Sequence, residues 1–68
     1  MTVGIKLQQT IASAESVAAN LKAFALDTQD QQAKQMFTQL SQSVDNTVST
    51  LQSRLNFIQQ QEPQYRQQ

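Results

Sequence analysis

Apolar residues recur at helical spacing along nearly the whole chain, and the longest uninterrupted stretch runs from Asp30 to Glu62. It contains no glycine and no proline. Ala33, Phe37, Leu40, Val44, Val48, Leu51, Leu55 and Ile58 follow one another at steps of 4, 3, 4, 4, 3, 4 and 3 residues. The mean step lies between about 3.5, the repeat of a coiled-coil seam, and about 3.6, that of a straight helix. The spacing predicts one helix over residues 31–61, roughly 46 Å long. In its first half Ala33, Met36, Phe37, Leu40 and Val44 are expected to point inward, and in its second Val48, Leu51, Leu55 and Ile58. The 4-4 step from Leu40 through Val44 to Val48 predicts a stutter that rotates the seam. Ser41 and Thr47 fall near the seam and can bond to a preceding carbonyl of their own helix. Phe57 lies off the stripe, either as a singly exposed aromatic or as an anchor against a second chain. Pro63 cannot continue the helix, which leaves 63–68 as a short flexible tail with Tyr65 its one residue suited to docking.

An earlier stripe is equally regular. Leu7, Ile11, Ala14, Ala18, Leu21 and Ala25 step by 4, 3, 4, 3 and 4. Thr10, Val17 and Phe24 lie beside them and widen the stripe to about 120°, as in a helix packed on more than one neighbour. The abundant alanines favour helix and permit close approach, while Lys6, Ser13, Asn20 and Asp27 form one polar row. A first helix is expected over about 3–27, with Thr2 as N-cap and a first turn weakened by Gly4. Between the helices, Asp27-Thr28-Gln29-Asp30 is all polar and marks a break. Asp30 is the preferred N-cap of the second helix, and Thr28 with Gln31 is a rival capping box. So short a connection makes antiparallel neighbours. The fold class is therefore all-α, a single helical-hairpin domain over 1–68.

Composition changes this picture in two ways. With 68 residues, 38% of them apolar, one hairpin has little to bury, and its two stripes are wider than one seam needs. Antiparallel two-fold pairing of two hairpins into a homodimeric four-helix bundle is the expected architecture, ahead of a trimer or of docking on another protein. Leu7, Ile11, Val17, Leu21, Phe24, Phe37, Leu40, Val44, Val48, Leu51, Leu55 and Ile58 are the residues expected to form this core and self-association stripe. The fifteen glutamines raise disorder as an alternative, which the regular apolar periodicity opposes.

Charge and residue inventory narrow the function classes. Net charge is zero, with five Lys/Arg spread along the chain, so neither nucleic acid nor an anionic membrane surface has a basic patch to meet. No apolar run reaches about 18 residues, and no basic-then-apolar leader opens the chain, so the default expectation is a cytoplasmic protein without a transmembrane segment. Without histidine or cysteine there is no base for a nucleophilic triad. Glu15 and Glu62 fall off the predicted core stripes, while Asp27, Asp30 and Asp45 read as loop, cap and solvated face. No cofactor, metal or catalytic residue is expected, and the chain reads as a non-enzyme.

Three segments carry a resemblance. They are Met1-Thr2-Val3-Gly4 with Lys6 and Gln9-Thr10-Ile11-Ala12-Ser13; Phe24-Ala25-Leu26-Asp27-Thr28-Gln29-Asp30 with Ala33-Lys34; and Glu62-Pro63-Gln64-Tyr65. In this order and spacing the chain resembles a family of short uncharacterised proteins of endospore-forming bacteria, the domain of unknown function numbered sixteen fifty-seven. Genes of that family often lie beside those for the spore dipicolinate channel and germination membrane proteins. The resemblance thus implies a sporulation setting, in the forespore or spore, and carries over no catalytic residue. The central segment is also loosely similar to half of a ferritin-like bundle, but without any of its inward His and Glu ligands. The paired apolar stripes, the missing catalytic residue types and the neutral charge lead to the expectation of a structural or interaction protein that self-associates, with an accessory adaptor whose apolar face docks on a partner protein as the alternative.

Overall fold

The computed structural model describes residues 2–61. Helix α1 spans Thr2–Asp27 and helix α2 spans Gln31–Gln60, joined by the three residues Thr28 to Asp30. The helices fold back on each other as a hairpin with extents of 52 × 14 × 10 Å. Both lie within one residue of the boundaries expected from sequence, which is the ordinary spread in placing helix ends. Gly4 is helical and a methyl group there would meet nothing within 4 Å. The expected Thr2 cap concerns a side chain outside the described residues, as do Glu62, the Pro63 stop and Tyr65.

The seam follows a heptad without interruption. On α1 the buried and half-buried positions are Gly4, Leu7, Ile11, Ala14, Ala18, Leu21 and Ala25, continued by Thr28. On α2 they are Lys34, Phe37, Ser41, Val44, Val48, Leu51, Leu55 and Ile58, with Ala33 beside them. Each set alternates steps of 3 and 4, the repeat of a left-handed coiled-coil seam. Most of these side chains are partly buried, with some surface left to solvent. Ile11, Ala18, Ala25, Leu55 and Ser41 are the buried ones among the described residues.

Ser41 corrects the expected seam. Leu40 was expected inward and is 45% exposed, whereas Ser41 is 2% exposed. With Ser41 in the row, the predicted stutter at Val44–Val48 is absent. Met36, also expected inward, is 49% exposed. The register is set by the larger seam residues on either side, and only position 41 keeps the 3-4 alternation between Phe37 and Val44. A small side chain suits this place, since α1 presents Ala14, Ala18 and Ala25 along its own seam. Burial of the hydroxyl is compensated within α2, where Ser41 Oγ donates to the Thr38 carbonyl at 2.8 Å.

Local chemistry fixes the turn. The Thr28 amide donates to the Phe24 carbonyl at 3.0 Å and closes the last turn of α1. Asp30 is the N-cap of α2, extended at φ −79° and ψ 118°, and its carboxylate accepts from the Gln32 amide at 3.0 Å. Thr28 does not cap α2; its hydroxyl accepts from the Asp30 amide at 3.3 Å and tightens the loop. Lys34 reaches back across the turn, and its Nζ donates to the Ala25 carbonyl at 2.7 Å. That carbonyl is among the last four of α1, which lack intrahelical partners, and α1 has no basic residue of its own in its last turn. Lys34 thus supplies both the missing donor and a cation at the negative end of the helix dipole.

Lys34→Met keeps the aliphatic stem and removes the donor, and should destabilise the hairpin by about 1–2 kcal/mol in urea unfolding followed by circular dichroism. Ser41→Ala should be neutral or stabilising by up to about 0.5 kcal/mol in the same assay, because alanine fits the seam and is the better helix former. A loss above that would mean that the hydroxyl has a role beyond its own helix.

Candidate interaction surface

The seam divides the hairpin surface into two unlike flanks. One is polar. It carries Gln8, Glu15 and Lys22 on α1 at seven-residue spacing, and Thr38, Asp45, Gln52 and Gln59 on α2. Across it Lys22 Nζ meets Asp45 Oδ2 at 3.2 Å, with both side chains about half exposed. Such a pair adds little to stability. It does confirm that the two polar rows face each other, as matching flanking positions do in an antiparallel seam.

The opposite flank is apolar. On α1 it carries Val3, Thr10, Val17 and Phe24, again seven apart, and on α2 Ala33, Leu40, Thr47 and Arg54, with Met36 and Phe57 on the adjoining row. The Phe24 and Phe37 rings meet here at 5.5 Å between centroids and 59° between planes, a tilted aromatic contact that joins the helices. Even so, Phe24 stays 50% exposed and Val17 48%. Asp27 and Thr28 complete an open depression with the two phenylalanines at the loop end. Toward the open end Phe57 is 44% exposed, and the Arg54 guanidinium lies over its ring at 4.9 Å. Ile5 and Leu26 are exposed on a separate row of α1 that they share with Ala12 and Ala19.

The twelve residues singled out from sequence therefore part into two groups. Leu7, Ile11, Leu21, Phe37, Val44, Val48, Leu51, Leu55 and Ile58 line the seam inside one chain. Val17, Phe24 and Leu40 do not; they lie together on the exposed apolar flank, and Met36 joins them. Periodicity alone missed Lys34 as the clasp across the turn. Its signal was a basic residue at a seam position of a row otherwise apolar or small.

Among the described residues no three His, Cys, Asp or Glu side chains cluster as a metal site would require. No described helix is long and apolar enough to cross a membrane.

The model of a family described as protein of unknown function (DUF1657) covers residues 7–55, which contain most of both helices and the whole turn. No curated protein and no solved structure matches the chain.

The two groups predict different responses to truncation. Leu55→Ala should cost about 2–4 kcal/mol, enough to abolish the cooperative transition of a chain this small. Leu40→Ala should cost less than about 1 kcal/mol when unfolding is followed at high dilution. Equal losses would mean that position 40 is packed within the single chain.

Proposed function

We propose that this chain, which belongs to the DUF1657 family of proteins of unknown function, acts as a non-catalytic interaction protein that self-associates, two hairpins pairing through their apolar flanks into a four-helix bundle. One observation carries this reading. Of the large apolar side chains, Ile11 and Leu55 are the buried ones among the described residues, while Val17, Phe24, Met36 and Leu40 share one flank at 45–50% exposure. Contiguous apolar surface rimmed by polar residues marks association sites, and a two-helix seam alone leaves such a small chain marginal. A second copy supplies a matching apolar flank, and a two-fold axis makes the contact self-complementary. Absence of histidine and cysteine from the sequence supports the non-catalytic reading. The sporulation setting implied by the family resemblance belongs to the same proposal and predicts enrichment of the chain in the forespore of sporulating cells.

Light scattering over a dilution series, with circular dichroism on the same samples, tests the association. The expected mass is twice 7.6 kDa, with high helicity that is insensitive to concentration. Leu40→Gln should shift the chain toward the monomer by roughly 10-fold or more in dissociation constant, given the usual worth of one buried large side chain. A monomer of weak helicity at all concentrations would overturn the proposal. It would favour instead an accessory adaptor whose apolar face docks on another protein.

A further inference from the structure

The charges that the hairpin does not use internally are distributed unevenly. Lys22 pairs with Asp45, Asp30 caps α2 and Lys34 clasps α1. Among the described residues this leaves Lys6, Glu15, Asp27 and Arg54 outside any ion pair or cap. Glu15 belongs to the polar flank. The other three border the apolar flank. Lys6 lies three residues from Val3 and four from Thr10, and Asp27 three from Phe24, distances that make neighbours on a helix surface. Asp27 also lines the depression with Phe24 and Phe37, and Arg54 shares the row of Leu40 and Thr47 and covers Phe57.

Their signs separate along the hairpin. Asp27 is at the loop end; Lys6 and Arg54 are toward the open end. Lys6 and Asp27 are 21 residues apart, about 31 Å along α1, and Val17 lies at the midpoint of that interval. Asp27 is moreover badly placed for its own helix. It ends α1, where the dipole favours a cation and disfavours a carboxylate.

Resting on the self-association proposed above, we infer that the two copies pack antiparallel, with the two-fold axis passing beside Val17 and Asp27 of each copy against the Lys6 and Arg54 edge of the other. The opposite, parallel arrangement would set Asp27 against Asp27 at one end and bring the basic residues together at the other. Like charges placed across an interface disfavour that pairing, and complementary ones fix orientation more than they add affinity. The antiparallel overlap also lets each Phe24 cover the other copy beyond Val17, toward its open end.

Because the chain has no cysteine, single thiols report orientation directly. An equimolar mixture of Lys6→Cys and Asp27→Cys chains, treated with a short bismaleimide, should give the mixed 6–27 product, while Asp27→Cys alone gives almost none. Val17→Cys should cross-link to itself and registers use of this flank. In parallel, Asp27→Lys should weaken dimerisation roughly 10-fold, and Lys6→Asp in the same chain should restore it. Asp27→Lys relieves the unfavourable helix-end charge, so helicity at high dilution should be kept or raised; loss of dimer is then not loss of fold. A dimer by mass whose product comes from Asp27→Cys alone overturns the orientation and leaves self-association standing. A dimer that yields no product at 6, 17 or 27 places the contact on another surface and also overturns it. A monomeric mass for the unaltered chain removes self-association itself.

Discussion

Close approach of two helices along an unbroken heptad is the constraint on which the rest of this molecule depends. Small side chains at Ala14, Ala18, Ala25 and Ser41 let the backbones come together, and Ile11, Leu55, Leu51 and Phe37 are larger residues of the same seam. Once those residues interdigitate, the rotation of each helix about its axis is set. Leu40 cannot turn inward without displacing Ser41, Phe37 and Val44 from their places. The exposed position of a leucine beside a buried serine is thus a consequence of the whole row and not of either residue alone.

The turn is adapted to the same seam. A three-residue connection leaves both adjoining helix ends with unpaired backbone groups, and the chain satisfies them from three directions: Asp30 caps forward, Thr28 holds the Asp30 amide, and Lys34 returns to Ala25. Lys34 occupies the first seam position of α2 after the turn, beside the end of α1. Its stem lies along the seam while its ammonium reaches the α1 carbonyl, so a charged residue completes an otherwise apolar or small row.

Rotation fixed by the seam also decides which residues are left outside, and this separates the two flanks. The polar flank carries the Lys22–Asp45 pair, and Ile5 and Leu26 stay exposed on the row of α1 beside it. The apolar flank presents Val17, Phe24, Met36 and Leu40 between a carboxylate at one end and two cations at the other. In a chain that buries few large side chains, the proposed second copy would cover that surface, and the order of the rim charges would choose its direction. The proposed association would use what one seam cannot enclose.

Helix content, the break at 28–30, the Asp30 cap and most of the seam were determined by sequence alone, because each follows from local chemistry or from periodicity repeated over many turns. With the small residues Ala14, Ala18, Ala25 and Ser41 between them, the nine seam residues from Leu7 to Ile58 fall at steps of 3 and 4 along each helix. Position 40 against 41 was not decided there, since adjacent residues lie about 100° apart on a helix and hydrophobicity alone selects the leucine. Nor did the sequence disclose the Lys34 clasp or the flank shared by Val17, Phe24, Met36 and Leu40, because these join residues of different helices. Only the tertiary structure could decide them: a periodic pattern gives each helix an apolar arc, but the rotation of that arc against its partner is settled by how side chains from both helices fit together.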